Sequence, residues 1–250
     1  MKLHIDTAPV WEAYKADCEC PLCAIREKVE AQQVTYFLGG SVMEPDQRIE
    51  VNAKGFCPRH FRQMYAAGNH LGLGLMLHTY LKNTNEALRK NAERLCAAAG
   101  TEAGKPIFAR LGKNKGAELT NVVGEVAQIA QSCVMCERVR DNMERYLYTI
   151  LHMYKHEPEF QKQFAASKGF CLNHYRALLD MAAQHLTGQD LARFVQEVTR
   201  LEMENLSRVE KEIEWYTLKF DYKNDDKPWG NSRDAVKRTI NKVRDQVIDG

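Results

Sequence analysis

The chain carries two sets of metal-binding side chains whose types and spacing repeat. In each set a Cys-x-x-Cys pair is followed by a Lys-Gly-Phe-Cys-x-x-His segment. Between the second cysteine of the pair and the cysteine of the segment lie 33 residues in the first set and 34 in the second. Three thiols and one imidazole form the ligand set of a closed tetrahedral zinc site, which leaves no position for substrate. The eight candidate ligands are Cys20, Cys23, Cys57 and His60 in the first half, and Cys133, Cys136, Cys171 and His174 in the second. We therefore expect two structural zinc ions per chain.

The sequence around the ligands repeats with them, which indicates an internal duplication. The Cys-x-x-Cys cysteines recur 113 residues later, and the Cys-x-x-His ligands recur 114 residues later. The acid-proline-acid motif around Pro45 returns around Pro158, and His70 returns as His185. We first expect each zinc site to lie within one repeat. The spacing leaves open a shared arrangement, in which Cys20 and Cys23 meet Cys171 and His174.

Other side chains offer weaker chemistry. Free cysteine is often buried, so the candidate ligands could instead be reduced cysteines and histidines packed in the core without a metal. The apparent binding energy of structural zinc, about 10–16 kcal/mol, favours the metal. The remaining candidates are Cys18 as a spare thiol for ligand exchange or redox sensing, Cys96 as a packed residue, His152 with His156 as a surface or core pair, and His70 with His185 as residues that support the metal ligands or cap helices.

Helices are the elements expected to position these ligands. Proline suits the first turn of a helix, so we predict helix starts near Pro9, Pro21, Pro45 and Pro58. Residues three apart on a helix face the same side, which lets Cys57 and His60 bind one ion. Two apolar stripes are predicted to be buried: Leu77, Leu81, Leu88, Ala92 and Leu95 on a long helix, and Val236, Ile240, Val243 and Val247 on a final helix capped by Asn231 or Ser232.

These elements predict an all-α fold of two pseudo-repeated helical units, each stapled by a Cys3His metal site, with a C-terminal helical tail. The predicted divisions are 1–98 for the first zinc-binding repeat, 99–116 for a linker, 117–218 for the second zinc-binding repeat and 219–250 for the tail.

Charge and hydrophobicity bear on which partners the chain binds and in which cellular compartment it lies. With 35 basic and 33 acidic residues the net charge is +2, which gives no overall attraction to nucleic acid or anionic membrane. The longest uncharged apolar stretch, Leu71 to Leu81, is about half of a membrane span, and the first twenty residues lack a secretory core. We therefore expect a cytoplasmic protein, where paired cysteines favour metal over disulfides.

The motifs support three functional hypotheses. No nucleophile elbow, phosphate-binding loop or His-Glu-x-x-His motif occurs in the sequence, which disfavours an enzyme. The leading hypothesis is a zinc-stabilised scaffold or adaptor for protein partners. One alternative is a thiol-based redox or metal sensor that releases zinc or holds an iron–sulfur cluster. The other is a nucleic-acid-binding regulator that uses a basic linker (Lys105, Arg110, Lys113, Lys115) and tail (Lys237, Arg238, Lys242).

Five segments together resemble a family of uncharacterised bacterial proteins known only as a domain of unknown function. They are CPLC, GFCPRHF, NHLGLGLMLHTYL, GFCLNHY and DYKNDDKPWGNSRDAV, and they span nearly the whole chain. The resemblance implies that both Cys/His sets and the tail belong to one unit. It implies no activity, substrate or catalytic residue.

Overall fold

A computed structural model describes residues 4–103 and 117–244, and within these ranges the regular structure is helical with no strand. This confirms the predicted all-α class. The α-helices are α1 (His4–Lys15), α2 (Pro21–Leu38), α3 (Pro45–Lys54), α4 (Pro58–Ala66), α5 (His70–Ala103), α6 (Ala117–Gln131), α7 (Val134–His156), α8 (Pro158–Ala165), α9 (Leu172–His185), α10 (Gly188–Leu218) and α11 (Ala235–Arg244). Short 3₁₀ turns occupy Gly40–Met43, Tyr222–Asn224 and Gly230–Ser232. Within the described ranges no helix is both long and apolar enough to cross a bilayer.

Proline marks most of the predicted helix starts. Pro21, Pro45 and Pro58 are the first residues of α2, α3 and α4. The prediction for Pro9 is wrong, because α1 begins at His4 and runs through this proline. A proline inside a helix removes one backbone hydrogen bond. The buried side chains of Val10 and Tyr14 offset that loss by packing α1 into the core.

The chain divides into two compact units. The first consists of Met1–Val29 with Asp141–Gly250, and the second is Glu30–Arg140. The chain passes from the first unit to the second within α2 and returns within α7. The division into sequence repeats at 1–98 and 117–218 stays a prediction about the duplication. Of the predicted linker, residues 99–103 are helical and 104–116 lie outside the described residues.

Aromatic rings form the core of the first unit. Phe160, Phe164, Phe170 and Phe194 are fully buried. Phe164 is central, because its ring lies 5.6 Å from both the Phe170 and the Phe194 rings and 5.8 Å from Tyr14, measured between centroids. Since Tyr14 belongs to α1, Phe164 to α8 and Phe194 to α10, these contacts join helices from both ends of the chain.

In the second unit, α5 packs against α3, α4 and α6. Its buried side chains include Leu73 and Met76, whereas Leu77, Leu81 and Leu88 are 38%, 66% and 39% exposed. The predicted buried stripe is therefore wrong. At about 100° per residue, the face covered by the neighbouring helices lies roughly 90° around α5 from the predicted one.

The tail helix α11 packs on α9 and α10 with a polar side inward. Val236 and Val243 are 39% and 41% exposed, while Ala235 and Lys242 are completely buried. The predicted apolar stripe on this helix is therefore also wrong, and Val247 lies outside the described residues. Lys242 faces inward for an electrostatic reason: backbone carbonyls beneath α11 accept hydrogen bonds from its ammonium group, and buried acids nearby balance its charge.

Candidate metal centres

The eight candidate ligands gather in two clusters. The first cluster is Cys20, Cys23, Cys171 and His174, and the second cluster is Cys57, His60, Cys133 and Cys136. In each, the donor atoms all lie within 4.8 Å of one another. The expected number and composition of the donor sets, two of three cysteines and one histidine, are confirmed.

The first expectation about grouping, one set within each repeat, is wrong. Each cluster combines the Cys-x-x-Cys of one repeat with the Cys-x-x-His of the other, as in the alternative that the spacing left open. The cause lies in the two helices that follow the Cys-x-x-Cys pairs. Because α2 and α7 pass from one unit to the other, each repeat places its two half-sites in different units.

The donor spacing in both clusters matches a single tetrahedral ion. Zinc bond lengths place neighbouring sulfurs about 3.8 Å apart and sulfur and nitrogen about 3.6 Å apart. In the first cluster, Cys23 Sγ lies 3.7 Å from Cys171 Sγ, and the three sulfurs lie 3.2–3.4 Å from His174 Nδ1. In the second, the Cys57 and Cys136 sulfurs are 3.6 Å apart, and the sulfurs lie 3.3–3.4 Å from His60 Nδ1. The residues therefore fit the metal.

The Cys-x-x-His half-sites share one local geometry. Cys57 and Cys171 are the N-caps of α4 and α9, both with extended backbone, and the histidine follows in the first helical turn. The preceding glycines, Gly55 and Gly169, have φ of 61° and 75°. Such a left-handed conformation favours glycine over any residue with a Cβ. This explains the glycine in both Lys-Gly-Phe-Cys segments.

The N-cap cysteine is the thiol most readily ionised in each cluster. Hydrogen bonds from the thiols of Cys20 and Cys23 lower the pKa of Cys171, while burial raises the pKa of Cys20. Burial opposes ionisation of Cys57, but hydrogen bonds from the His60 backbone N–H and the Cys136 thiol outweigh it, so the pKa of Cys57 is lowered. Helix N-termini lower thiol pKa values generally, and thiolates are the form that binds metal.

A buried acid supports the second cluster. Glu30, which is 4% exposed, accepts hydrogen bonds from Arg59 at 2.6 Å and Gln63 at 3.0 Å. Its other oxygen lies 4.0 Å from His60 Nε2, on the side of the ring opposite Nδ1, the nitrogen that faces the cysteine sulfurs. This separation is longer than a hydrogen bond, so the carboxylate supports the His60 ring through its negative charge.

Two buried charges support the loops of the first cluster. Glu202 accepts a hydrogen bond from the backbone N–H of Phe170 at 2.9 Å, and burial raises the pKa of Glu202. Lys242 Nζ donates to the carbonyl oxygens of Glu19 at 2.7 Å, Phe170 at 3.3 Å and Lys168. Since Glu19 precedes Cys20 and Phe170 precedes Cys171, one ammonium group holds together the two loops that carry these cysteines.

Sequence reasoning missed Glu30, Glu202 and Lys242. Glu202 carried a usable signal, because it directly follows Leu201 in a buried stripe that includes Phe194, Val198 and Val209. An acid on the buried face of a helix needs a polar partner. Lys242 carried no comparable signal, since its neighbours in sequence read as a basic surface.

The remaining candidates lie outside both clusters. Cys18 is half-buried, and burial raises its pKa. Cys96 is exposed, so its predicted packing is wrong, because it lies on the uncovered part of α5. The rings of His152 and His156 are tilted by 46° with their centroids 4.5 Å apart. The ring centroids of His70 and His185 lie 4.6 and 5.1 Å from those of Tyr65 and Tyr148. His70 begins α5 and His185 ends α9.

Comparison with known families identifies the chain. The sequence profile described as "Family of unknown function (DUF6062)" matches residues 1–249, so the chain belongs to this family. No curated protein and no solved structure matches the chain.

Proposed function

We propose that this member of the DUF6062 family is a cytoplasmic helical scaffold for protein partners, held together by two zinc ions. The observation that carries the proposal is the pair of Cys3His clusters, each with the dimensions of a single tetrahedral ion. Zinc accepts thiolate and imidazole ligands together and imposes no redox chemistry. Because all four ligands come from the protein, the sites stabilise the fold and do not catalyse.

Zinc is favoured over an iron–sulfur cluster by the spacing of the donors. An iron–sulfur cluster is larger than one ion and holds its cysteine sulfurs around several metal atoms. Here all four donor atoms of each cluster lie within 4.8 Å of one another, which suits four ligands that share one ion. The purified protein should therefore be colourless, and visible absorption would contradict this choice of metal.

Metal analysis of the protein purified without added metal tests the proposal. We expect about two zinc ions per chain, one for each cluster, and a large loss of thermal stability when a strong chelator removes them. A matched control is Cys96→Ser, which should keep both ions because Cys96 lies in neither cluster. A metal-free chain whose melting is unchanged by chelator would contradict the proposal.

Double variants test the crossed pairing of the ligands directly. Cys20→Ser combined with Cys171→Ser removes two ligands of the first cluster and should leave one zinc ion per chain. Cys20→Ser combined with Cys57→Ser damages both clusters and should leave none. If each site lay within one repeat, the two results would be exchanged.

The structure does not favour nucleic-acid binding through the tail. Lys242 is completely buried, and Arg238 is paired with Glu212 and Asp234. Lys237 remains exposed. The four basic residues predicted in the linker lie outside the described residues. Two of the three tail cations are therefore held by protein groups and are not available to phosphates.

The sensor hypothesis names Cys18 as the thiol that would exchange with the zinc ligands. Cys18 lines a cavity of about 710 Å³ together with Cys20 and Cys23, which places it near the first cluster. Burial raises its pKa, so the nucleophilic thiolate is scarce. A thiol of this kind is poorly suited to start an exchange reaction.

A further inference from the structure

The two clusters differ in their access to solvent. In the first cluster all four ligands are buried, with exposed fractions of 2% for Cys20, 2% for Cys23, 0% for Cys171 and 7% for His174. In the second cluster Cys133 and His60 are buried, but Cys57 is half-buried and Cys136 is exposed. Sequence duplication would predict equal sites, so the difference comes from what surrounds each one.

The tail packs beside the first cluster and links its two ligand loops. Helix α11 packs on α9, which begins next to Cys171, and its Lys242 joins the two ligand loops through their carbonyl groups. At the second cluster the corresponding link is made by the loops themselves. Ser132, the counterpart of Glu19, donates to the Lys54 carbonyl at 2.6 Å, and the Val134 N–H donates to the Gly55 carbonyl at 3.1 Å. The tail has no repeat, so only one of the two sites receives it.

The two accessible thiols of the second cluster are also neighbours. Cys57 Sγ and Cys136 Sγ are 3.6 Å apart, and they come from different helices, α4 and α7. Zinc-bound cysteines are thiolates, and susceptibility of thiolates to oxidation follows their exposure. Two adjacent, accessible thiolates are what an oxidant needs to form a disulfide.

We infer that the second cluster is a peroxide-reactive site, in which Cys57 and Cys136 are oxidised while the first cluster stays intact. The Cys57 thiolate attacks one oxygen of a hydroperoxide, which breaks the O–O bond, forms a sulfenic acid and, with a proton, releases water or an alcohol. The Cys136 thiolate, 3.6 Å away, then attacks the Cys57 sulfur, and hydroxide leaves as water after taking a second proton. Two thiolates lose two electrons and the peroxide gains them.

The disulfide leaves only Cys133 and His60 as ligands in the second cluster, which is too few to retain zinc. The protein would then lose the zinc ion of the second unit and keep the zinc ion of the first. This inference rests on the proposed function, because it requires zinc in both clusters. It adds a chemical class of reactant, hydroperoxides, and a site of covalent modification.

The test treats the zinc-loaded full-length protein with hydrogen peroxide at a small molar excess. Released zinc is followed with a chromogenic chelator, and the state of each cysteine is mapped by alkylation and mass spectrometry. We expect one of the two zinc ions to be released, together with a Cys57–Cys136 disulfide. Cys20, Cys23 and Cys171 should remain reduced. Release of both ions together, or of neither, would overturn the inference.

Two further measurements test whether the reaction belongs to the second cluster and not to Cys18 or the first cluster. Cys18→Ser should release the same single ion at the same rate, and loss of the release in this variant would assign the reaction to Cys18 and overturn the inference. Without oxidant, limiting N-ethylmaleimide should label Cys96 and Cys136 before any cysteine of the first cluster, and the reverse order would also overturn it. Zinc content before oxidation reports separately on the proposed function, since a chain isolated without metal would refute both proposals.

Discussion

Lys242 provides a direct measure of how strongly the tail holds the first cluster. We consider Lys242→Met, which keeps the length of the side chain and removes its charge. The change removes three hydrogen bonds from a buried ammonium group to the carbonyls of Glu19, Lys168 and Phe170. It also leaves the Glu19 carboxylate, whose nearest oxygen is 3.6 Å from Nζ, without this cation.

The expected magnitude follows from two opposing contributions. Hydrogen bonds to a charged group contribute about 1.5–3 kcal/mol each. Burying the ammonium costs several kcal/mol, which is why burial lowers the pKa of Lys242. Removing one member of a buried charged set typically costs about 3–5 kcal/mol, because the remaining groups stay buried without a partner. We expect a loss of that size in the free energy of unfolding of the first unit.

Tryptophan fluorescence during urea unfolding measures this loss selectively. All three tryptophans, Trp11, Trp215 and Trp229, belong to the first unit. The matched control is Lys237→Met, the same change at an exposed position of the same helix. If both variants unfold at the same urea concentration, Lys242 does not hold the ligand loops and the reasoning is refuted.

Three further predictions concern single residues. Glu30→Gln should weaken zinc binding at the second cluster by at most about 10-fold, because it removes a negative charge 4.0 Å from His60 Nε2 without removing a hydrogen bond to that nitrogen. Chelator competition measures this, and an unchanged affinity would contradict it. Gly169→Ala should destabilise the protein more than Gly68→Ala. Both glycines have positive φ, but a Cβ at Gly169 would lie 3.2 Å from a carboxylate oxygen, whereas a Cβ at Gly68 would meet open space. Equal melting temperatures of the two variants would argue against this. Phe164→Ala should cost about 3–5 kcal/mol of unfolding free energy, because its fully buried ring is central to the aromatic core; a loss below about 1 kcal/mol in urea unfolding would be inconsistent with that role.

The ligands and most helix starts were predictable because they depend on local chemistry. A proline such as Pro58 restricts only the residues beside it, and the spacing of Cys57 and His60 needs only one helical turn. The partner of each half-site was not predictable in this way. Cys20 and Cys23 meet the same ligand types in either repeat, and only the course of α2 and α7 between the units decides between them.

The buried faces of α5 and α11 depended on tertiary packing. In the segment from Leu71 to Leu81, apolar residues lie on nearly every side of the helix, so periodicity does not select the covered face. In α11 the local pattern favoured burial of Val236 and Val243. Lys242 is buried instead, because its ammonium group donates hydrogen bonds to the carbonyls of Glu19 and Phe170. Both acceptors lie far from Lys242 in sequence, so the local pattern does not reveal them.

The crossed pairing also sets an order of assembly during synthesis. Along the chain the second cluster is nested within the first, since its ligands extend from Cys57 to Cys136 while those of the first extend from Cys20 to His174. A nascent chain can therefore close the inner site once Cys136 has left the ribosome. Cys20 and Cys23, although made first, wait through the 147 residues that separate Cys23 from Cys171. The earliest ligand thiols to emerge thus belong to the last cluster to be completed, and they stay open to oxidation until Cys171 and His174 have been made.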